Sequence, residues 1–153
     1  MLALSGVSVA IADVSAEIAA ANYERLLVEA GQFVDDGLFP SDAVERIEAL
    51  VSPAESLEAA VADVDFIEEA VPEKIEIKHA TLRRISEAAR PDAVIGSNTS
   101  TIQIGALAEA VVLPERFLGV HFSNPAPFIP GVEIIPHATT SEATVALAEQ
   151  VVR

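Results

Sequence analysis

The sequence predicts an α/β fold, a doubly wound and mainly parallel sheet with helices on both faces. Three observations carry that prediction. Short β-rich apolar runs alternate with longer stretches whose apolar residues recur at helical spacing, the pattern of parallel strands joined by crossover helices. Gly, Pro, Ser and Asp punctuate the boundaries, and no Gly/Ser linker, internal repeat or low-complexity block interrupts the series. A chain of 153 residues that is 51% hydrophobic can bury roughly two thirds of its unfolded surface, enough for one domain with a core.

The elements follow in order. A β-rich run at residues 7–12 ends at Asp13, and Ser15 is placed to cap a helix carrying Ile18, Asn22, Leu26 and Ala30 on one side. After Gly37, the Pro40-Ser41-Asp42 stop-and-cap signal opens a second helix with Val44, Ile47 and Leu50, and a short third helix follows Ser56. A strand is expected at residues 65–69, and Pro72 stands where a first helical turn tolerates proline, ahead of a long amphipathic helix to about Ala89. The second half repeats the scheme: strand 93–97, helix 102–110, strands 117–122 and 132–136, and a helix from Ser141 to the end.

Charge and composition restrict the function. The net charge is −15, with 24 acidic residues against 9 basic ones, and the basic residues are scattered singly apart from Arg83 and Arg84. This argues against nucleic acid and anionic membranes as partners, since both demand a basic patch. Without cysteine there is no disulfide, thiolate nucleophile or zinc–thiolate site, and His79, His121 and His137 lack the close spacing of metal ligands, so no metal is expected. The apolar start has no basic n-region and runs straight into Asp13, which reads as core and not as an export signal. No run reaches the ~18 residues of a membrane span. A cytoplasmic location is expected.

In sheets of this class ligands collect beyond the carboxyl ends of the strands, where Asp13, Glu69, residues 98–100 and residues 121–124 all fall. Ser100, His121, Asn124 and Glu133 lie within 34 residues and offer a hydroxyl, an imidazole, an amide and a carboxylate, the parts of a proton-transfer site. An imidazole with an unperturbed pKa of about 6.5 serves as acid or base near neutrality, and a carboxylate on its second nitrogen fixes the tautomer. Plainer readings stand beside these. Ser100 is equally placed to cap a helix opening at Thr101 or Ile102, and Asn124 before Pro125 to shape a turn. Glu133, between Val132 and Ile134, calls for a partner such as His121, because an unpaired buried carboxylate is costly. His79 and His137 have no partner pattern and are expected on the surface.

An acid where Asp13 stands holds the adenosine ribose hydroxyls of a dinucleotide and favours NAD over its 2′-phosphorylated form; the alternative is a helix N-terminal acid stabilised by the dipole. The GxGxxG turn expected about 20 residues before such an acid is not in this sequence. Twelve residues precede Asp13, Gly6 is the sole glycine among them, and MLALSG reads as the tail of the helix that would follow the turn.

Four segments carry a family resemblance: VAIADVS, DFIEEAVPEKIEIK, IGSNTSTIQI and FLGVHFSNPAPFIPGVEII. With 21 residues from Ser100 to His121 and 12 from His121 to Glu133, the chain resembles the N-terminal NAD-binding domain of the L-3-hydroxyacyl-CoA dehydrogenase family over nearly its whole length. On that comparison it enters after the glycine loop and stops before the helical C-terminal domain. The resemblance implies a Rossmann-like fold, N-terminally truncated, with NAD as cofactor and His121 and Glu133 as a catalytic dyad. His121 would take the proton of the 3-hydroxyl as hydride leaves C3 for the nicotinamide, with Ser100 bonded to the substrate oxygen and Asn124 close to the reacting group. Asp13 resembles the adenosine-ribose acid, Glu73 and Lys78 match positions around the nicotinamide ribose, and Asn98 belongs with the same cofactor set. Read without the family, Glu73 and Lys78 are a solvated helix face.

The resemblance also implies a homodimer once the helical domain is present, and the isolated chain need not be active. Pro130 and Gly131 stand where acyl-CoA members often carry a Lys-Leu pair, a feature similar to relatives that act on free hydroxy acids such as gulonate or carnitine. Three functions are therefore expected in turn: oxidation of a 3-hydroxyacyl-CoA such as 3-hydroxybutyryl-CoA in fatty-acid metabolism, oxidation of a free 3-hydroxy acid, or a non-catalytic binding module or inactive fragment.

Overall fold

The computed structural model describes residues 1–129 and 131–153; Pro130, which the sequence reading weighed with Gly131, lies outside them. The chain divides into two compact units, Met1–Ala60 and Val61–Arg153.

The first unit opens with a single 3-10 turn at Ala3–Ser5, closed by Gly6 at φ 88°, a left-handed conformation that glycine adopts without steric cost. Strand β1 (Val9–Ile11) leads into helix α1 (Ala16–Asp35), where the Ser15 hydroxyl accepts from the Ile18 amide at 3.3 Å as the cap pattern predicts. Helix α2 (Ala43–Leu50) follows and passes directly into β2 (Val51–Pro53), which pairs in parallel with β1 in the register Val9↔Val51, Ala10↔Ser52, Ile11↔Pro53. The sequence reading missed β2, because three residues ending in proline carry no strand signal of their own. They extend because β1 lies alongside, and Pro53 closes the pairing at a strand end, where a missing N–H is tolerated. Ala3, Ala30, Ile47 and Val51 form the core, with Tyr23, Leu26, Leu27, Phe39 and Val44 packed around them. Ile18, grouped with Leu26 and Ala30 on one side of the helix, is exposed.

Helix α3 (Leu57–Val61) precedes the second unit's four-stranded sheet: β3 (Phe66–Glu69), β4 (Val94–Ser97), β5 (Phe117–Phe122) and β6 (Val132–Ile135), in that spatial order. The first three run parallel, joined by α4 (Ile75–Ala88) and α5 (Ile104–Ala108), whereas β6 returns antiparallel against β5. Alternate side chains go to opposite faces. Val94, Leu118 and Val120 pack with Ala148 and Leu147 of α6 (Glu142–Val152), and Gly119 on the other face abuts Ile104 of α5. The buried Arg116 donates to the carbonyls of Ser86, in the last turn of α4, and of Arg90 just beyond it, placing one cation at the open carbonyl end of the helix. This is the predicted mainly parallel α/β arrangement, with α5 shorter than residues 102–110. His79 and His137 depart from the surface reading. Both are half-buried, their rings donating to the carbonyls of Ala106 at 2.9 Å and Pro114 at 3.0 Å.

Candidate active site

Strand β5 is buried over its first four residues and half-buried at His121 and Phe122, so the chain leaves the core where the imidazole stands. His121 is the direct cross-strand partner of Glu133 in the antiparallel register, and partners directly opposite share a face with their Cβ atoms about 5 Å apart. Nδ1 of His121 lies 2.7 Å from Oε2 of Glu133. An ionised carboxylate only accepts hydrogen bonds, so Nδ1 carries the hydrogen and Nε2 of the neutral ring keeps its lone pair. The expectation that Glu133 is buried does not hold. Its side chain is 67% exposed against 24% for His121, and the pairing follows from strand register and not from a need to neutralise a buried charge.

Asn98 directly follows β4. Its Oδ1 accepts from the Phe122 amide at 2.8 Å, and its own amide donates to Glu69 O at 2.8 Å. It therefore ties the carboxyl ends of β3, β4 and β5 together beside His121.

Ser100 lies in the turn that follows. The capping role considered for Ser100 does not arise, because no helix opens at Thr101 or Ile102: α5 begins at Ile104 with Gln103 as its cap residue and no side-chain cap bond, and the side chain bonded to the Ile102 amide within the turn is that of Thr99, at 3.1 Å. Oε1 of Glu73 gathers the Thr99 hydroxyl at 2.5 Å, the Ser100 amide at 3.1 Å and the Thr101 amide and hydroxyl at 3.0 Å each. Desolvation by itself would raise the pKa of Glu73. The Thr99 and Thr101 hydrogen bonds and the Lys78 charge outweigh it and hold the group at about 2. Asn124 is exposed in the bend after β5, ahead of a cis peptide bond to Pro125.

Lys78 contradicts the solvated-face reading outright, being only 1% exposed. Its ammonium meets Glu69 at 2.9 Å and Glu73 at 3.4 Å. Glu69, which the sequence reading set at the ligand edge without a role, and Ser97, which it did not assign, complete this buried cluster. The available signal was an acidic pair, Glu68-Glu69, at the end of an apolar strand in an otherwise alternating fold.

In the first unit, Asp13 follows β1 as an exposed residue. Its Oδ1 accepts from the Val14 amide at 2.7 Å and its Oδ2 from Asn22 Nδ2 at 2.8 Å. Two of its roughly four acceptor positions are occupied, which leaves the donor-accepting capacity that a vicinal ribose diol requires. A 2′-phosphate would meet like charge there. The residues present thus fit an unphosphorylated dinucleotide.

The family model described as 3-hydroxyacyl-CoA dehydrogenase, NAD binding domain, matches residues 1–153. The chain belongs to this family. A curated relative, the alpha subunit of the fatty acid oxidation complex of Aliivibrio fischeri, is 41% identical over 86 residues, 54% of this chain and 12% of that protein. Among solved structures, FadB2 of M. tuberculosis is similar with a TM-score of 0.90 and 30% identity, over 99% of this chain and 54% of that one. A 5-formyl-3-hydroxy-2-methylpyridine 4-carboxylic acid 5-dehydrogenase, described as an NAD+-dependent dismutase, has a TM-score of 0.81 at 34% identity, over 99% and 48%. The chain thus spans about half of these solved relatives and a far smaller part of the curated one. Family membership makes the fold Rossmann-like and NAD the cofactor.

Proposed function

We propose that this chain forms part of the NAD-binding domain of an enzyme that oxidises a 3-hydroxyacyl-CoA, such as 3-hydroxybutyryl-CoA, to the 3-ketoacyl-CoA in fatty-acid metabolism. The observation that supports it best is the 2.7 Å contact between His121 Nδ1 and Glu133 Oε2 at the open end of β5. With Nδ1–H committed to Glu133, Nε2 is the nitrogen available to accept the proton of the substrate 3-hydroxyl. The ring gains a positive charge in that step, and the adjacent carboxylate stabilises it. NAD, when bound, supplies the hydride acceptor. In reverse the imidazolium returns its proton to the ketone oxygen. Ser100 bonds the substrate oxygen and Asn124 stands close to the reacting group in this reading, Asp13 holds the adenosine ribose, and Glu73, Lys78 and Asn98 line the cofactor side. The homodimer expected with a helical C-terminal domain and a cytoplasmic location belong to the same proposal. Among the described residues, no helix is long and apolar enough to cross a membrane.

A second reading, a dehydrogenase of a free hydroxy acid, is favoured by the 34% identity to an enzyme named for a pyridine carboxylic acid. The two separate in a turnover assay of the full-length protein carrying this chain, following NADH formation with (S)-3-hydroxybutyryl-CoA and with a panel of free 3-hydroxy acids. His121→Ala is expected to lower kcat by about a hundredfold or more, the usual scale of a lost general base. A loss of less than about threefold sinks the base assignment. Turnover confined to free acids moves the function to the second reading, and no turnover together with no NADH binding in a calorimetric titration overturns the enzyme reading.

A further inference from the structure

The chemistry above gives no role to Glu69, yet this residue closes β3 at 2% exposure, beside Lys78 at 1% and Ser97 at 0%. Its Oε1 accepts from the Val71 amide at 2.6 Å and from Lys78 Nζ at 2.9 Å. Its Oε2 accepts from the Ser97 hydroxyl at 2.6 Å and from Lys78 Nζ at 3.2 Å. Lys78 also reaches Val71 O at 3.2 Å and Glu73 Oε2 at 3.4 Å. The ammonium therefore stands between two carboxylates, one sealed in the core and one nearer the surface. The outer one, through its other oxygen, receives the amides of Ser100 and Thr101.

A buried ion pair is a poor source of stability, because desolvation cancels much of the attraction and an apolar pair of similar volume serves as well. What it supplies is direction. The Lys78 ammonium has three hydrogens, and with two acceptors fixed on Glu69 and Val71 its position relative to Glu73 is no longer free. Glu69 is itself held from β4 by Ser97 and from the following loop by Val71.

We propose that Glu69 is a positioning residue that acts through Lys78 and Glu73 to set the turn at residues 99–102, and with it Ser100. The functional meaning of that placement rests on Ser100 being the substrate-binding hydroxyl. With the Glu69 charge removed, Glu73 is the one carboxylate left against Lys78 beside the neutral Val71 carbonyl, and the acceptor shared by the Ser100 and Thr101 amides shifts.

The test is amide NMR on the chain. In Glu69→Gln the Ser100 and Thr101 amide resonances are expected to move and their exchange with solvent to accelerate by at least about tenfold, while amides of α1 stay in place. In a Lys78→Met background the same substitution is expected to add nothing, since the link is already cut. Unchanged Ser100 and Thr101 amides in Glu69→Gln, or a full additional change in the Lys78→Met background, overturns the proposal. If Glu69→Gln does not fold, Ser97→Ala takes its place, because it removes only one hydrogen bond from Glu69. A smaller displacement of the same two amides supports the proposal, and none overturns it. In the full-length protein, kcat/KM of Glu69→Gln is expected to fall about tenfold, mostly through KM. Amides that move with kcat/KM unaltered leave the relay standing and overturn the role given to Ser100.

Discussion

Glu68 is the residue most at odds with its surroundings. Both of its carboxyl oxygens are covered and have no hydrogen-bond partner among the described residues. They occupy space that exists because Gly96, opposite on β4, has no side chain; a methyl there would run into Oε2. Desolvation, and then the charge of Glu69, push the pKa of Glu68 up to about 9, against a smaller opposing pull from Lys78. The folded protein thus keeps a proton that the unfolded chain releases near the ordinary carboxyl value of 4.5. Between those two values the native state binds more protons than the unfolded one, so stability falls as pH rises through the window, by up to ~1.4 kcal/mol per pH unit. Glu68→Gln, which keeps the shape and cannot ionise, is expected to flatten this slope and to melt higher than the parent at pH 8 to 9. Thermal melts of both proteins from about pH 5 to 9 check this, and parallel slopes would rule out a neutral Glu68. Only part of this was legible in advance. The acidic pair was visible in the sequence, but strand alternation alone sends its two carboxylates to opposite faces, Glu69 to a cation and Glu68 to none.

At the scale of elements, the close approach of α5 to β5 depends on Gly119. A Cβ at that position would lie 2.6 Å from Ile104 Cδ1 and 3.2 Å from Ile135 Cβ, between a helix on one side and β6 on the other. Gly119→Ala is expected to cost about 1–3 kcal/mol through overpacking. Denaturant unfolding measures it, and Ile104→Ala in the same chain should recover part of the loss if the clash is the cause. Asn98 works at the same level. Removing its amide in Asn98→Ala leaves the Phe122 N–H without the acceptor it has at 2.8 Å, a loss of about 1–3 kcal/mol read in the same experiment. Helix starts were the most legible elements. Ser15 and Ser141 both accept from the amide three residues on, as cap residues do. Strand β2 and the direction of β6 were not. A strand's pairing depends on a neighbour distant in sequence, and neither Val51–Pro53 nor Val132–Ile135 carries a local mark of which way its partner runs.

For the whole molecule the dominant fact is the net charge of −15. Local ion pairs offset some of it: Arg90 gathers Asp63, Asp65 and Asp92, and Arg46 and Arg153 each meet a carboxylate one helical turn away. Exposed pairs of this kind contribute little, so self-repulsion should prevail. Raising the ionic strength from about 0.01 M to about 0.15 M shortens the screening length from ~30 Å to ~8 Å and is expected to raise Tm by a few degrees. A falling Tm in calorimetry would mean that the pairs outweigh the repulsion. The alternation of strands and helices, the helix caps, the acidic balance and the family motifs were all determined by the sequence alone, because each acts within a few residues of where it is written. Tertiary structure decided which groups meet. Glu133 faces His121, 12 residues away, because an antiparallel register sets them opposite each other, and Ser97 and Glu69, 28 apart, share a hydrogen bond because β4 lies beside β3. Such contacts arise from the choice of neighbouring strands, and that choice is made by packing the whole sheet, not by any segment within it.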